Sequence, residues 1–306
     1  MNDKIIAVVV TYQPDLNVLK RLLMSVVPQV NAVVIVDNDS ETYFPTLNLA
    51  GVDPEKISFI RLIENKGVAA AQNRGIAEAI QKRAGYVLLL DHDSIPAPDM
   101  VEKLLLAWKQ LRHVGEKVAA VGPRYRFPNT NYFSYFVRFG LLRFQKIYCP
   151  DENGNPYISA DFLISSGCLI SLSSIADIGL MDEALFIDHV DTDWFLRAKA
   201  KGYSSYGVFE AEMDHSLGDS LFNFGLHKKR MLPVHHPLRL YYIFRNSFLL
   251  YQRPHAPQKW RVNDLVRLTL MFIFFSTRIR PRREYLRMMT RGIYDGVRGL
   301  SGRYQV

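Results

Sequence analysis

The sequence lacks the motifs that mark several large classes of protein. Its 306 residues include two cysteines, Cys149 and Cys168, without a C-x-x-C spacing, so neither a disulfide framework nor a zinc site is indicated and a reducing compartment fits. There is no G-x-x-x-x-G-K-[ST] segment, and no G-x-G-x-x-G follows the first apolar run. A P-loop ATPase and a dinucleotide dehydrogenase are therefore not supported. The composition, 48% hydrophobic and 22% charged, is typical of a globular protein.

Long apolar runs are scarce as well. Near the C-terminus, ten residues separate Arg267 from Arg278, against the roughly 20 that a helix needs to span a bilayer. A transmembrane helix is therefore not expected. The apolar N-terminal stretch follows an acidic residue and has no small-residue cleavage site, and we interpret it as a first strand rather than a signal peptide.

What the sequence does contain is an alternation of apolar runs with amphipathic segments. The predicted elements are strand 5–11, helix 16–27, strand 32–36, strand 57–63, helix 68–83, a strand from residue 86, helix 98–111 and strand 118–121. This alternation predicts an α/β fold with a mostly parallel sheet covered on both faces. Residues 127–157 are aromatic-rich and irregular, and we interpret them as an excursion from the sheet that could form a flap over the site.

The central strand, YVLLLDHDS from Tyr86 to Ser94, ends abruptly in Asp91, His92 and Asp93. A buried parallel strand places such residues at the ligand-binding edge of an open sheet. Two carboxylates one residue apart repel each other, and a hard divalent cation between them would relieve the repulsion. A solvated acidic turn is the alternative interpretation.

Polar loops follow three strands of the predicted sheet. They contain Thr11-Tyr12, Asp37-Asn38 and the Asp91–Asp93 group. Because the carboxyl ends of parallel strands meet at one edge, these loops predict a nucleotide site. Asp37 is suited to accept a hydrogen bond from a ribose hydroxyl or a base imide. Gly167 interrupts a later extended segment, where either a ligand or a packed side chain can approach closely.

A second acidic cluster lies in FIDHVDTDWFLR, where Asp188, Asp191 and Asp193 open a predicted helix and Arg197 is a possible partner. Carboxylates at a helix start serve as N-caps. Three within six positions exceed that need, and one of them facing the Asp93 loop could act as a general base.

These segments together carry a resemblance to a known family. The motifs, in chain order, are VVVTY, VDNDS, ENKGVAAAQNRG, LLLDHDS, SSGCLI, DEALFIDHVDTDWFLRAKAKGY and LYYIFRN. As an ordered set they resemble the inverting family 2 glycosyltransferases of the GT-A type, and more narrowly the bacterial rhamnosyltransferase branch, which uses dTDP-L-rhamnose. The resemblance covers about the first 250 residues. It implies a nucleotide-sugar donor, a divalent metal (Mg²⁺ or Mn²⁺) and a glycan or lipid-linked acceptor.

The resemblance also implies roles for individual residues. The nucleotide site would be formed by Thr11, Tyr12, Asp37, Asn38, Asn65, Lys66, Gly67 and Asn73. Asp91 and Asp93 would bind the metal and the diphosphate, and Asp191 would be the base. The family commonly has Glu-Asp where this chain has Val190-Asp191, so Asp188 and Asp193 remain alternatives for the base. His215, from its residue type alone, is a candidate third metal ligand.

The charge is unevenly distributed along the chain. Residues 226–306 contain 17 Lys and Arg against three acidic residues, a net charge of +14, whereas the first 225 residues carry −6. We therefore divide the chain into a catalytic domain, residues 1–236, and a basic amphipathic helical extension, residues 237–306. The basic tail predicts peripheral contact with the anionic inner face of the cell membrane, from a cytoplasmic location.

Alternatives remain for the tail and for the protein as a whole. A helix near Arg267 would place Leu268, Met271, Phe272 and Phe275 on one face, either toward a membrane or packed on the catalytic domain. Another donor such as a UDP-hexose is also compatible with the sequence. From a different class, the tail could bind nucleic acid, although the acidic body would repel it and no such motif is present. The oligomeric state is not predicted.

Overall fold

The computed structural model of the chain describes residues 2–41, 51–126, 133–150, 154–215, 220–224 and 230–305, with the backbone alone for 220–224 and 230–233. The parallel strands that the apolar runs predict are present. They are β1 (Ile5–Thr11), β2 (Ala32–Asp37), β3 (Ile57–Arg61) and β4 (Tyr86–Asp91). β1 pairs in parallel with both β2 and β4, and β3 pairs with β2. All seven residues of β1 are buried, as expected for a central strand covered on both faces.

The second half of the sheet contains antiparallel pairings that the sequence pattern did not predict. The further strands are β5 (Ile95–Pro96), β6 (Val118–Arg126), β7 (Phe136–Phe139), β8 (Phe144–Ile147), β9 (Tyr157–Ala160), β10 (Leu169–Ser171), β11 (Ser204–Asp214), β12 (Ser220–Phe224) and β13 (Arg230–Val234). The order in the main sheet is β3-β2-β1-β4-β10-β6-β11-β5, with β9 also paired to β11. β10 runs antiparallel to both β4 and β6. The sheet is therefore mixed beyond β4.

The excursion expected at residues 127–157 is partly described. It contains the β7–β8 hairpin and leads into β9, which returns to the edge of β11. Residues 127–132 and 151–153 lie outside the described part of the chain, and the flap remains a prediction.

Eight helices surround the sheet in the described residues. They are α1 (Leu16–Val26), α2 (Val68–Gln81), α3 (Met100–His113), α4 (Leu172–Ile178), α5 (Val190–Ala200), α6 (Pro237–Tyr251), α7 (Gln258–Thr277) and α8 (Arg282–Val297). The predicted helices at 16–27, 68–83 and 98–111 are confirmed to within two residues at each end.

Alternate residues of β1 supply two hydrophobic cores, one on each face of the sheet. Ile6 and Val8 lie in the core that includes α2, whereas Ala7 and Val9 lie in the core that includes α1 and α3. This follows from the period of two along a strand. The two layers of helices cover the faces of the sheet, and the polar loops lie at the carboxyl edge of the parallel strands.

Helices α6, α7 and α8 share a third core. Its members include Leu240, Phe244, Leu268, Phe275 and Met289. The apolar face of α7 predicted from the sequence is therefore buried, but it packs against α6 and α8 within the C-terminal helices, which is neither the membrane contact nor the packing on the catalytic domain considered from the sequence. Among the described residues, no helix is long and apolar enough to cross a membrane.

Asp193 joins α5 to the segment that follows α6. Its carboxylate is fully buried and accepts hydrogen bonds from Arg197 Nε at 2.8 Å, Arg253 Nη1 at 2.7 Å and His255 Nε2 at 2.8 Å. Burial alone would raise the pKa of Asp193, but these partners lower it to about 2. A buried carboxylate that accepts from three donors is a strong tertiary link between the sheet domain and the C-terminal helices.

We predict that Asp193 is a pH-dependent contributor to stability. Asp193→Ala leaves Arg197 and Arg253 without their buried partner and should lower the free energy of unfolding at pH 7 by about 3 kcal/mol. Because the folded-state pKa is depressed, the wild-type contribution is present above about pH 4, the unfolded value, and is lost as the pH falls toward 2.

Urea unfolding at several pH values measures this contribution. Asp193→Asn should reduce the loss of stability between pH 4 and pH 2 by the part that Asp193 contributes. Asp99→Asn, which affects only an exposed pair with Lys103, should change stability by less than about 1 kcal/mol. An unchanged acid dependence in Asp193→Asn would contradict the assignment.

Candidate active site

The loops after β1 and β2 meet at the carboxyl edge of the sheet, as predicted. Thr11 Oγ1 donates to Asp37 Oδ1 at 2.9 Å, and Ser40 donates to the same carboxylate through both its amide and its hydroxyl. Arg61 Nε lies 3.9 Å from Asp37 Oδ2. Asp37 is only 1% exposed, so its carboxylate is fixed by protein donors. A ligand would meet the surface of this loop, including the half-exposed ring of Tyr12.

The loop after β3 is joined to the same edge. Asn38 Nδ2 donates to Asn65 Oδ1 at 3.0 Å, and Asn38 Oδ1 accepts from the Lys66 amide at 2.9 Å. Asn65 Oδ1 also accepts from the Gly67 amide. The structure thus brings together Thr11, Tyr12, Asp37, Asn38, Asn65, Lys66 and Gly67.

Asp91, Asp93 and His215 form a compact three-residue group. One ligand atom from each lies within 4.8 Å of the others, and His215 is brought to β4 by the end of β11. His215 Nδ1 lies 3.3 Å from Asp93 Oδ1 and 2.8 Å from Ser94 Oγ. Two carboxylates and one imidazole are a ligand set that can hold a divalent metal ion.

The electrostatics of this group favour a cation. Burial, and then the charge of Asp93, raise the pKa of Asp91, partly offset by His215. Burial opposes ionisation of Asp93 too, but its hydrogen bond with His215 and the charge of that ring lower the pKa of Asp93. A divalent cation would offset the repulsion between Asp91 and Asp93. The residues therefore fit a metal site.

The acidic motif is carried by a strained segment that precedes α5. Phe186, Asp188 and His189 have φ values of 64°, 62° and 60°, in the left-handed region that non-glycine residues rarely adopt. Such strain persists when surrounding contacts over-determine the backbone, and it occurs often at functional sites. Gly67 is required beside it, because a Cβ there would lie 2.3 Å from the Phe186 carbonyl oxygen.

The surrounding contacts come largely from α6. Asn246 Nδ2 donates to the carbonyls of Leu185, Ile187 and Asp188 at 2.8–2.9 Å. Arg239 Nε lies 3.2 Å from Asp188 Oδ1. Burial lowers the pKa of His189 to about 4, so its neutral ring can bond with Ser247 Oγ at 3.0 Å.

Asp191, the first choice for the base, follows this segment. Burial, with additional contributions from the charges of Asp188 and Asp91, raises the pKa of Asp191 to about 6. The Thr192 amide donates to its Oδ1 at 2.7 Å. The charge of Asp91, in the first acidic motif, thus acts on the second motif. A carboxylate with a pKa near 6 is ionised at neutral pH and basic enough to take a proton.

Three other residues predicted for the site, Asp193, Arg197 and Asn73, make contacts with other parts of the protein. The structure argues against Asp193 as a base, because it is fully buried and ion-paired. Arg197 is its partner, and its guanidinium also donates to the carbonyls of Ile178 and Leu180. Asn73 is committed to protein partners rather than to a ligand, because its amide bonds with the Met181 backbone and Glu183.

Gly167 is explained by packing. Its φ is 82°, and a Cβ would lie 2.6 Å from Pro123 Cγ and 2.9 Å from Met213 Sδ. The packing alternative raised from the sequence therefore accounts for this glycine without a ligand.

Sequence reasoning missed the contribution of α6 and of two serines. Ser166 Oγ accepts from the Asp91 amide at 3.0 Å and lies 2.7 Å from Ser94 Oγ, which continues the chain to His215. Nothing in the local pattern identifies these serines. For α6 a signal existed: Arg245 and Asn246 end the LYYIFRN motif, and both are buried polar residues in an otherwise apolar helix.

The chain has clear relatives. The family model described as glycosyl transferase family 2 matches residues 6–179. The dTDP-rhamnosyl transferase RfbF of Shigella flexneri is 33% identical over 305 residues, covering 99% of this chain and 98% of RfbF. The 305 aligned residues cover nearly all of this chain, including both acidic groups described above.

Solved structures with the same fold include S. aureus TarS. TarS 1–349 in complex with UDP-GlcNAc has a TM-score of 0.56 and 13% identity, covering 97% of this chain and 81% of that one. Another S. aureus TarS structure has a TM-score of 0.53 and 16% identity, covering 97% of this chain but 49% of that one. This chain therefore spans about half the length of that TarS chain. The expected α/β fold of the GT-A type with C-terminal helices is confirmed.

We predict that Asp93 is required for binding of a divalent cation. Asp93→Ala should weaken Mn²⁺ binding at least about tenfold, since even the outer-sphere partners of metal ligands are worth about 10–100-fold. Titration calorimetry or the electron paramagnetic resonance signal of free Mn²⁺ measures this.

The matched control for the metal prediction is Asp99→Ala, an exposed aspartate outside the group, which should bind Mn²⁺ like the wild type. Equal binding by wild type and Asp93→Ala would exclude the site.

Proposed function

The chain belongs to glycosyltransferase family 2, and we propose that it is an inverting rhamnosyltransferase. It would transfer L-rhamnose from dTDP-β-L-rhamnose to a hydroxyl of a glycan or lipid-linked acceptor during synthesis of a cell-surface polysaccharide such as O-antigen. The observation that carries this proposal is the 33% identity to RfbF along nearly the whole length of both chains. Family membership also favours an enzyme over the nucleic-acid-binding alternative.

The donor would bind at the carboxyl edge of β1, β2 and β4. The loops that contain Thr11, Tyr12, Asn38 and Lys66 would contact the nucleotide, while Asp37 would hold the loops in shape. This assignment is supported by the hydrogen bonds that join the three loops and by the exposure of Tyr12. The topological rule for open α/β sheets gives the same location.

Asp91, Asp93 and His215 would hold Mg²⁺ or Mn²⁺ against the donor diphosphate. The metal supplies positive charge that stabilises the leaving nucleoside diphosphate. On the protein side, the Ser166 hydroxyl accepts from the Asp91 amide, and Ser94 bonds with His215. These contacts fix both ends of the ligand set before any ion binds, which is the support expected around a metal site.

Asp191 would act as the general base. It takes the proton of the acceptor hydroxyl while the anomeric carbon gains oxocarbenium character, and the direct displacement inverts the β-linked donor to an α-L-rhamnoside. Its raised pKa and its proximity to Asp91 support this role. Asp188, which is ion-paired with Arg239, would position the segment rather than take the proton.

The enzyme would work at the cytoplasmic face of the cell membrane, in contact with the lipid surface. The charge asymmetry of the sequence supports this location, because a tail with a net charge of +14 is attracted to anionic headgroups. A lipid-linked acceptor would lie in the same membrane, so contact with the lipid surface would bring the enzyme to its acceptor.

We predict that Asp191 sets the acidic limb of the pH–rate profile. Asp191→Asn cannot take a proton, so kcat should fall by roughly 10²-fold or more with donor affinity nearly unchanged. In the wild type, the rate should fall as the pH drops below about 6, because Asp191 becomes protonated with its pKa of about 6.

The control for this assignment is Asp188→Asn, which removes the neighbouring carboxylate but should keep the acidic limb. If Asp191→Asn remains active and Asp188→Asn loses the limb, the base is Asp188.

The donor is tested with a panel of nucleotide sugars and Mg²⁺ or Mn²⁺. We predict that dTDP-L-rhamnose is turned over, with sugar transfer or slow donor hydrolysis detected by release of dTDP, and that UDP-GlcNAc and UDP-hexoses are used at least about tenfold less efficiently. Asp93→Ala serves as the inactive control. Preferential use of a UDP-sugar would replace the donor assignment but keep the glycosyltransferase mechanism.

A further inference from the structure

The outer face of α7 exposes a continuous apolar stripe. Val262, Leu265, Val266, Leu270 and Ile273 are 38–64% exposed. Their spacing places them on one side of the helix, and the stripe extends roughly 16 Å along its axis. The opposite side of α7 packs against α6 and α8, so this stripe is additional to the buried face that gives the helix its stability.

No charge interrupts the stripe. The charged residues that α7 carries between Val262 and Ile273, Asp264 and Arg267, pair with each other at 2.6 Å, and Asp264 is buried. Thr269 is the one polar residue exposed on this side between them, and its hydroxyl donates to the Leu265 carbonyl at 2.9 Å. An exposed apolar stripe on a helix that already has a buried face is unusual for a surface helix, whose outer side is normally polar.

A cluster of arginines begins where α7 ends. Arg278, Arg280, Arg282, Arg283 and Arg287 are all exposed, and they occupy the connection to α8 and its first two turns. In residues 258–305, Glu284 is the one exposed acidic residue, because Asp264 and Asp295 are buried and paired with Arg267 and Arg291. The cluster is therefore strongly cationic.

We propose that the apolar stripe of α7 and the arginine cluster beyond it form one docking surface for an anionic phospholipid bilayer. The helix would lie in the plane of the interface, with the stripe among the first acyl carbons and the arginines at headgroup level. This surface specifies how the membrane contact of the proposed function is made, and it does not depend on the identity of the donor sugar.

Charge complementarity favours the bilayer over a second copy of the chain. In a twofold dimer through α7, the same patch occurs on both partners. The arginine cluster would meet the partner's arginine cluster if the two helices ran parallel, or the basic first turn of the partner's α7, with Lys259 and Arg261, if they ran antiparallel. Neither arrangement gives the arginines an acidic partner. An anionic bilayer offers apolar depth for the stripe and negative charge for the arginines at once.

The docking surface differs from the face that the sequence pattern suggested. Leu268, Met271, Phe272 and Phe275 pack inside the helical module, and the lipid-facing residues are those on the other side of the same helix. Because α6 belongs to this module and holds the Asp188–His189 segment, docking through α7 would also orient the active site relative to the membrane.

Flotation of the full-length protein with liposomes tests the surface. The vesicles consist of phosphatidylcholine alone or of phosphatidylcholine mixed equally with phosphatidylglycerol, and wild type should float with the anionic ones. Leu265→Gln, Leu270→Gln and Ile273→Gln combined should lower the bound fraction roughly tenfold or more. The matched control combines Ile80→Gln, Leu106→Gln and Val114→Gln, which are exposed apolar residues on other helices or their ends, and should bind like the wild type.

The charge contribution is tested in the same assay. Arg282→Gln with Arg283→Gln should lower binding roughly tenfold at low salt, and less at high salt because the attraction is screened. Arg21→Gln with Arg74→Gln, which removes the same charge from exposed positions on α1 and α2, is the control. Release of dTDP from the donor in solution should be unchanged in all four variants, which shows that they fold.

The outcomes separate the proposals. If wild type floats and the α7 variant floats equally, the docking surface is wrong although membrane contact stands. If wild type does not float yet turns over the donor, membrane contact fails and the transferase proposal stands. A dimer in sedimentation that is lost in the α7 variant, without flotation of the wild type, would assign the stripe to a second copy of the chain.

Discussion

The arrangement of the site depends on one constrained stretch of backbone, from Phe186 to His189. Three of its four residues have positive φ values, which cost of order 1 kcal/mol or more each. Asn246 holds the stretch by donating to the carbonyls of Ile187 and Asp188 and to that of the preceding Leu185. Gly67 leaves room for it on the other side. Without this shape, α5 would begin elsewhere and Asp191 would not lie near Asp91.

The carboxylates at one edge of the sheet repel one another, and the positive charges nearby neutralise this repulsion only in part. Burial raises the pKa values of Asp91 and Asp191, and neighbouring charges raise them further, that of Asp93 on Asp91 and those of Asp188 and Asp91 on Asp191. Arg239 and His215 supply some positive charge. The remaining imbalance favours both a bound cation and a carboxylate that is a stronger base than an exposed aspartate. The repulsion between these carboxylates therefore favours both the binding of a cation and the raised basicity that proton transfer requires.

The sequence predicts local features of this molecule better than distant ones. β1 and β2 were found because buried parallel strands are continuous apolar runs, and the polar loops after them followed from topology. β10 was not recognised as antiparallel, since three residues carry no directional signal. The role of α6 depends on partners about 60 residues away, such as Asn246 with Leu185, which no periodicity reveals. On α7, apolar residues on both sides made the choice of face impossible from the pattern alone.

Because the chain is synthesised from its N-terminus, the contacts of Asn246 form late. The sheet strands that carry Asp91 and Asp93 leave the ribosome first, and the stretch from Phe186 to His189 follows long before α6. Until Asn246 and Ser247 emerge, nothing from α6 holds the strained backbone, which can relax to ordinary conformations. A nascent chain can thus assemble the carboxyl edge of the sheet while Asp191 is still unplaced, so the proposed site would be complete only after the C-terminal helices have docked.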